Sequence, residues 1–181
     1  MRVTGQDVQR AADRIAGRVR RTPLWRPGAE PLWLKCEFLQ HCGVFKTRGA
    51  FNRQLAGLES GEITDAGIVV ASGGNAGLAQ AFAARALGVR ATVFVPESAP
   101  RVKVARIEGY GAQVRRAGTE FAEAHQAAVG FAEDTGAVLA HAYDQVDVVA
   151  GAGTLAEEIL QDEPSIDTIV VAVGGGGLFA G

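Results

Sequence analysis

The amino-acid sequence predicts an α/β fold with open parallel sheets, and three observations support this prediction. Short apolar runs alternate with longer helical patterns through the middle of the chain. Glycine-rich turns follow several of these runs, and glycine accounts for 24 of the 181 residues, which exceeds the usual share of about 7%. Parallel strands joined by crossover helices produce an alternation of this kind.

The N-terminal part is predicted to contain a helix, an extended segment and a second helix. Thr4 can cap the first helix, whose apolar residues fall at helical spacing: Val8, Ala11, Ala12, Ile15 and Val19. Apolar and polar residues alternate over 32–37, as they do in a strand. Residues 46–60 are predicted to form a helix that Gly61 ends, with one apolar face formed by Phe51, Leu55 and Leu58.

Strands and helices then alternate to the end of the sequence. The predicted strands cover 67–71, 91–95, 112–115, 137–140 and 168–173. The predicted helices cover 75–87, 98–108 and 119–135, and a further helix begins after Asp147. The sequence stops at Gly181, about where a helix opened by the glycine loop should begin, whereas a parallel strand normally has both faces covered. We therefore expect the chain to be the N-terminal part of a longer polypeptide.

Composition and charge argue against several classes of function. The net charge of −2 and the isoelectric point near 5.9 disfavour a nucleic-acid-binding surface. The longest apolar runs are too short for a membrane span and the N-terminus is not signal-like, which predicts a cytoplasmic protein. Cys36 and Cys42 are then expected to be reduced thiols. No metal site is predicted, because metal-ligand spacing is absent around the three histidines, His41, His125 and His141.

One lysine is distinguished by its neighbours. Lys46 follows Phe45 and opens a helical pattern, and it lies between other motifs rather than in a charged run. An ordinary lysine amine, with a pKa near ~10.4, is protonated at neutral pH. Burial makes it a usable nucleophile and base. Lys46 is therefore the candidate reactive amine, although a single lysine is more often a solvated surface charge.

The last predicted strand runs into four consecutive glycines, Gly174, Gly175, Gly176 and Gly177. A bare backbone of this kind at the start of a helix binds phosphate through its N–H groups. Two alternatives stay open for this loop. It could be a turn without a ligand, or a dinucleotide loop, because Gly175, Gly177 and Ala180 fit the loose fingerprint.

A second strand-to-helix turn consists of Ser72, Gly73, Gly74 and Asn75. It follows a predicted parallel strand, and open sheets bind ligands at the carboxyl ends of their strands. Ser72 and Asn75 could equally cap the following helix. The Gly-x-Ser-x-Gly pattern of serine hydrolases does not occur in the sequence.

Taken together, the motifs resemble those of one family in order and separation. The chain resembles the fold type II pyridoxal-phosphate enzymes, the tryptophan synthase β family, and within it the serine/threonine dehydratases. The resemblance extends from about residue 3 to the last residue. It is carried by Lys35-x-Glu37-x-x-Gln40, Phe45-Lys46-x-Arg48-Gly49-Ala50, Ser72-Gly73-Gly74-Asn75, Ala150-Gly151-x-Gly153-Thr154 and Gly174 to Leu178.

The resemblance implies a role for each matching residue. Lys46 forms the Schiff base with pyridoxal 5'-phosphate, and Phe45 lies against the cofactor ring. Asn75 hydrogen-bonds the phenolic oxygen of the cofactor. The substrate carboxylate is held by Ser72, Gly73, Gly74 and Asn75. The cofactor phosphate is held by Gly174, Gly175, Gly176, Gly177 and Leu178.

The implied reaction is β-elimination of L-threonine or L-serine to a 2-oxo acid and ammonia, in which Lys46 removes the Cα proton. Two alternatives stay open: another enzyme of the same cofactor class, such as a cysteine or threonine synthase, and a catalytically silent relative that only binds a ligand or partner. The implied architecture places 1–57 and 147–181 in a large domain and 58–146 in a smaller inserted domain. A homo-oligomer is implied for the full-length protein, and poor activity for this chain alone.

Three positions depart from the family pattern. Gly73 stands where the serine racemases of the family have a serine, which disfavours racemisation. Ala76 replaces a histidine that commonly follows the asparagine, and Ala152 replaces a common glutamine. The departures at 76 and 152 bear on substrate preference rather than on use of the cofactor.

Overall fold

Strands and helices alternate through the middle of the protein, which a computed structural model describes over residues 2–181. The helices are α1 (Gly5–Ile15), α2 (Lys46–Glu59), α3 (Asn75–Leu87), α4 (Arg101–Glu108), α5 (Phe121–Thr135), α6 (Val146–Asp162) and α7 (Gly177–Ala180). The strands are β1 (Leu24–Trp25), β2 (Leu34–Lys35), β3 (Ile68–Ala71), β4 (Ala91–Val95), β5 (Gln113–Arg116) and β6 (Val138–Leu139). Within these residues no helix combines the length and apolar character that a membrane crossing requires.

A four-stranded parallel sheet in the order β5-β4-β3-β6 confirms the predicted α/β class. One face packs against α3 and α4 through Val70, Val93, Val95, Leu78 and Ile107. The other face packs against α5 through Val69, Ala71, Phe94, Ala124 and Ala128. Because helices cover both faces, the central strands β3 and β4 are nearly continuous apolar runs, whereas the edge strand β5 is polar and exposed.

Two glycines bring α2 and α6 unusually close together. A Cβ atom on Gly49 would lie 2.6 Å from the backbone oxygen of Val148. A Cβ atom on Gly151 would lie 2.7 Å from the Cα of Gly49. Neither backbone contact could be relieved by a side-chain rotation. The first turn of α2 is therefore fixed against α6.

A buried ionic network reinforces this contact. Arg48 is fully buried, and its guanidinium donates to Glu37 at 2.7 Å and to Glu158 at 2.7 Å. Lys35 Nζ lies 2.7 Å from Glu158 and donates to the backbone oxygen of Thr22 at 2.8 Å. Burial disfavours the charge on Arg48, but the hydrogen bonds to both carboxylates outweigh it and raise its pKa. The motifs around 35–37 and 46–50 are thus tied to α6.

The apolar face predicted for α2, formed by Phe51, Leu55 and Leu58, was partly wrong. Phe51 is buried in it, whereas Leu58 is 40% exposed and the polar residues Arg48 and Gln54 are fully buried. Polar partners on neighbouring elements allow these side chains to be buried. The predicted extension of the first helix to Val19 was also wrong, because α1 ends at Ile15.

Two predicted strands are shorter or missing. Only Leu34–Lys35 of the segment 32–37 pairs in a ladder, antiparallel to Leu24–Trp25. Residues 168–173 form no strand and pair with none among residues 2–181, and Val170 is 95% exposed. A strand requires hydrogen bonds to a neighbouring strand. In the parallel sheet of residues 2–181 the edge strands are β5 and β6, and neither pairs with 168–173.

The other predicted elements are confirmed, with ends that shift by a few residues. The helix predicted at 98–108 begins at Arg101, and the strand predicted at 137–140 is Val138–Leu139. Boundaries of this kind are the least defined part of any element. The division into 1–57 with 147–181 and 58–146 stays a prediction. Its boundaries fall in the last turn of α2 and the first turn of α6.

Candidate active site

A cavity of about 230 Å³ lies where α2, α3, α6 and the C-terminal glycines meet. Four of its wall residues have polar side chains, namely Lys46, Gln80, His141 and Tyr143. The remaining wall is apolar or bare backbone, formed by Phe45, Gly49, Ala50, Ala76, Ala142, Val148, Ala152, Ala172, Gly174, Gly175, Gly176, Gly177 and Leu178. The structure therefore brings the predicted amine, its aromatic neighbour and the predicted phosphate loop to one cavity.

The turn before α2 places Lys46 at the first position of that helix. Cys42 and Gly43 both have left-handed backbones, with φ of 63° and 73°. A left-handed non-glycine residue is uncommon and marks a constrained turn. The buried Thr47 holds this turn, because its Oγ1 donates to the backbone oxygens of His41 at 2.8 Å and Val44 at 3.0 Å.

The Lys46 amine is held inside the cavity. Its Nζ donates to the backbone oxygen of Ala142 at 2.9 Å and lies 5.3 Å from the centroid of the Phe45 ring. Burial lowers the pKa of Lys46, because the charged form loses hydration that the cavity does not replace. The uncharged amine, which is the nucleophilic and basic form, is thereby favoured.

The other two lysines of the sequence have different surroundings. Lys35 has only 6% of its side chain exposed and is paired with Glu158. Lys103 is exposed on α4. Lys46 is thus the lysine that combines partial burial, an accessible cavity and freedom from a carboxylate partner within residues 2–181.

The C-terminal glycines pack against Tyr143. A Cβ atom on Gly175 would lie 2.4 Å from the Tyr143 ring, and one on Gly177 would lie 2.6 Å from the Tyr143 backbone oxygen. Gly176 has a left-handed backbone, with φ of 84°. A side chain at 175 or 177 would collide with Tyr143, and one at 176 would be strained by the left-handed backbone. Glycine is therefore required for the loop to reach the cavity.

His141 has a defined neutral form in the cavity wall. Its Nδ1 accepts hydrogen bonds from the backbone N–H groups of Asp144 at 2.9 Å and Tyr143 at 3.3 Å. A backbone N–H can only donate, so Nδ1 carries no proton and Nε2 carries it when the ring is neutral. Burial lowers the pKa of His141 and outweighs the negative charge of Asp144, which acts in the opposite direction. The side chain therefore offers a neutral N–H donor.

The turn Ser72–Asn75 is not part of the cavity wall, which includes Ala76 but none of the four preceding residues. Ser72 Oγ accepts from the backbone N–H of Gly74 at 3.2 Å, so it stabilises its own turn. Asn75 is exposed and does not cap α3, because Gly74 holds the cap position and no side chain bonds there. The ligand roles of Ser72, Gly73, Gly74 and Asn75 stay predictions.

Two polar wall residues, Gln80 and His141, were not predicted from the sequence to line the site. Gln80 carried a usable signal, because it is the polar residue in the middle of a helix rich in alanine and leucine. His141 was considered only as a metal ligand. Tyr143 and Asp144 lie just before α6. Tyr143 lines the cavity, whereas Asp144 does not.

The fold and the cavity define a class of protein: an α/β protein with a half-buried amine, a flanking aromatic ring and a bare glycine loop around a small-molecule cavity. The family model described as pyridoxal-phosphate-dependent enzyme matches residues 15–181. The chain belongs to this family of pyridoxal-phosphate-dependent enzymes.

Individual relatives agree with this assignment. The chain is 43% identical over 180 residues to an L-threonine ammonia-lyase of Geobacter sulfurreducens, covering 96% of this chain and 44% of the relative. A serine racemase structure from maize has a TM-score of 0.93 at 34% identity, over 99% of this chain and 56% of that one. A structure of a pyridoxal 5'-phosphate-dependent aspartate racemase has a TM-score of 0.91 at 38% identity, over 98% and 56% of the two chains. The chain thus spans about half the length of the relatives it matches.

Proposed function

We propose that the protein is a pyridoxal 5'-phosphate-dependent ammonia-lyase that converts L-threonine or L-serine to a 2-oxo acid and ammonia. The observation that carries this proposal is the position of Lys46 Nζ, half-buried beside Phe45 in the same cavity as Gly174 to Gly177. The relative from Geobacter sulfurreducens bears the name of that activity. L-Threonine and L-serine both carry the amine, carboxylate and β-hydroxyl that the reaction needs.

The residues of the cavity fit the cofactor in three respects. The depressed pKa of Lys46 provides an amine that can hold an aldehyde carbon. The Phe45 ring offers an apolar surface to an aromatic ring. The glycine run offers backbone N–H groups to a phosphate, and a Cβ atom at Gly175 or Gly177 would collide with Tyr143. When bound, pyridoxal 5'-phosphate supplies an electron sink that stabilises negative charge at the Cα of an amino acid.

The protein residues then have separate tasks. Lys46 Nζ accepts the Cα proton, which its lowered pKa and its place in the cavity suit it to do. Ser72, Gly73, Gly74 and Asn75 orient the carboxylate through a hydroxyl, an amide and backbone N–H groups. The β-hydroxyl leaves with one proton as water, and water then replaces the amine, so the net products are 2-oxo acid and ammonia. The apolar wall around Val148 and Leu178 reduces the contact of the reacting atoms with water.

Position 73 favours elimination over racemisation. Racemisation requires a proton donor on the face of Cα opposite Lys46, whereas elimination uses the lysine face alone. Gly73 has no side chain to supply that donor. A Cβ atom there would lie 3.2 Å from the Cβ of Ala99, so a larger residue would also be crowded. Racemase neighbours therefore support the fold and cofactor more than the reaction.

A chimaera tests the proposed activity. The 181-residue chain replaces the matching segment of the Geobacter sulfurreducens relative, and ammonia and 2-oxobutanoate are measured with L-threonine as substrate. We expect both products, and we expect their loss in the matched chimaera with Lys46→Ala. A folded, cofactor-loaded chimaera that forms neither product refutes the proposal.

The alternatives give different products in the same chimaera. Consumption of a thiol with O-acetylserine indicates a synthase, and D-serine formed from L-serine without ammonia indicates a racemase. Binding of cofactor without any turnover indicates a silent relative. The cytoplasmic location, the homo-oligomeric state and the two-domain division remain part of the proposal.

A further inference from the structure

Gln80 is a buried polar side chain on the cavity wall. Only 3% of its surface is exposed, and the wall residues around it are small or apolar. Among the described wall residues that α2, α3 and α6 contribute, Lys46 and Gln80 are the two with polar side chains. A polar group in such surroundings is unfavourable unless it is hydrogen-bonded.

The hydrogen bonds of Gln54 fix the orientation of the Gln80 amide. Gln54 Nε2 donates to the backbone oxygen of Gln80 at 3.0 Å and to Gln80 Oε1 at 2.7 Å. A backbone oxygen can only accept, so the Gln54 atom at this contact must be the amide nitrogen. The Gln80 atom that it meets must then be the oxygen. These hydrogen bonds exclude the flipped orientation of the Gln80 amide. Distances alone would not distinguish its nitrogen from its oxygen.

The Gln80 amide nitrogen is consequently directed away from Gln54. No acceptor for Gln80 Nε2 is found within residues 2–181. Among the described residues, the side-chain polar atoms that are both inaccessible to solvent and without a hydrogen-bond partner are Gln54 Oε1 and Glu157 Oε2. Gln80 Nε2 also has no partner but is not one of them, so it retains some accessible surface. Gln80 is otherwise buried and lines the cavity, so the accessible surface of its amide nitrogen faces the cavity. Gln80 therefore presents two unused N–H donors to a bound molecule.

We infer that Gln80 Nε2 donates a hydrogen bond to the β-hydroxyl oxygen of the amino-acid substrate, and that Gln80 is a specificity-determining residue. This inference rests on the proposed function. That function assigns the carboxylate to the Ser72 turn and the reacting Cα to Lys46, so the β-hydroxyl is the substrate oxygen left without a partner. A neutral amide suits a neutral hydroxyl, because no charge has to be desolvated. A site built for a hydroxyl disfavours an amino acid without one.

The test compares two amino acids with the same carbon skeleton, L-threonine and L-2-aminobutanoate, which lacks the hydroxyl. Calorimetric titrations use the cofactor-loaded chimaera carrying Lys46→Ala, so that threonine is not consumed. We expect L-threonine to bind roughly five- to tenfold more tightly than L-2-aminobutanoate. Adding Gln80→Leu should reduce this ratio to near unity while leaving the Kd of L-2-aminobutanoate unchanged. Gln126→Leu, on the exposed face of α5, is the matched control and should keep the ratio.

A second readout does not depend on affinity or activity. The side-chain N–H₂ signals of Gln80 in a ¹H–¹⁵N spectrum are assigned by their loss in Gln80→Leu. We expect them to shift with L-threonine and not with L-2-aminobutanoate. A shift produced by pyridoxal 5'-phosphate alone, with no further change on adding L-threonine, overturns the inference because the amide then serves the cofactor.

Two further outcomes separate the inference from the function on which it rests. Equal affinities for the two amino acids, with ammonia still formed by the chimaera, refute the role of Gln80 alone. Failure to bind either amino acid, with no ammonia formed, refutes both. If Gln80→Leu does not fold, Gln80→Met replaces it, because it keeps the length of the side chain but has no N–H group to donate. Undiminished preference for L-threonine in Gln80→Met overturns the inference.

Discussion

Lys46 Nζ donates its hydrogen bond to the backbone oxygen of Ala142, at 2.9 Å and 96 residues further along the chain. The bond joins the first residue of α2 to the segment between β6 and α6. Because the acceptor is a main-chain group, the position of the amine depends on the fold and not on the side chain at 142. The same segment contributes His141 and Tyr143 to the cavity wall.

Reductive trapping should attach pyridoxal 5'-phosphate to Lys46 and not to the other two lysines. Lys35 is paired with Glu158, and Lys103 lies outside the cavity on α4. The protein is mixed with cofactor, reduced with borohydride and digested, and the modified peptide is located by mass spectrometry. Lys46→Arg keeps a positive charge but cannot form the adduct, so it should lose the label. Equal labelling of Lys46→Arg and wild type would contradict the assignment.

Labelling should also persist to lower pH than labelling of a lysine peptide in solution. Burial lowers the pKa of Lys46, so a larger fraction of its amine is uncharged at any pH below the ordinary value of 10.5. Initial rates of adduct formation against pH measure this difference. Coincident pH profiles for the protein and the peptide would show that the cavity does not perturb the amine.

Gly177→Ala should weaken cofactor binding much more than Gly174→Ala. The new Cβ atom at 177 would lie 2.6 Å from the Tyr143 backbone oxygen, whereas at 174 nothing lies within 4 Å. Forcing atoms into a packed site costs about 1–3 kcal/mol, which corresponds to a Kd roughly five- to 150-fold higher. Fluorescence titration with pyridoxal 5'-phosphate gives both values. Similar losses in the two variants would mean that the contact with Tyr143 does not shape the loop.

Elements whose sequence signals lie within the element itself could be predicted from the sequence. The run 68–71 is wholly apolar, and 91–95 is apolar except for Thr92, because helices cover both faces of the sheet. Gly88 and Gly136 end α3 and α5 with left-handed backbones, as their positions predict. Lys46 and the glycine loop were found through a set of motifs, each of which is weak alone.

The residues that were missed depend on partners far away in the sequence. Arg48 is buried because Glu158, 110 residues later, neutralises it, and no local pattern contains that information. Gln80 faces the cavity because Gln54 fixes its amide from another helix. The segment 168–173 has the composition of a strand, but a ladder requires a partner that local pattern cannot supply.

Gly151→Ala should destabilise the protein, whereas Gly130→Ala should stabilise it. Both glycines lie inside helices, where alanine is intrinsically preferred by about 0.5–1 kcal/mol. At 130 no atom lies within 4 Å of the new Cβ, but at 151 it would lie 2.7 Å from the Gly49 Cα and 2.8 Å from the Arg48 backbone oxygen. Separation of α2 from α6 should cost about 1–3 kcal/mol. Urea unfolding of the pair measures the contrast, and equal stabilisation by both would contradict close helix contact.

Glu158→Gln should lower stability near neutral pH and reduce its loss in acid. Burial opposes ionisation of Glu158, but hydrogen bonds from Arg48 and Lys35 prevail and lower its pKa below the ordinary 4.5. A carboxylate with a lowered pKa in the folded state stabilises the protein above the unfolded-state value, and this contribution is lost as the pH falls through the folded-state value. Removing one member of a buried charge cluster costs about 3–5 kcal/mol.

Free energies of unfolding from urea titrations between about pH 7 and pH 3 test this linkage. The wild type should lose stability below 4.5, and Glu158→Gln should begin lower and follow a flatter curve. Some slope should remain, because other ion pairs also lower the pKa of Asp162 and Glu62. The exposed Glu133 on α5 provides the control, since Glu133→Gln should change stability by less than about 0.5 kcal/mol. Parallel curves for Glu158→Gln and wild type would mean that the network around Arg48 does not bind Glu158 as a carboxylate.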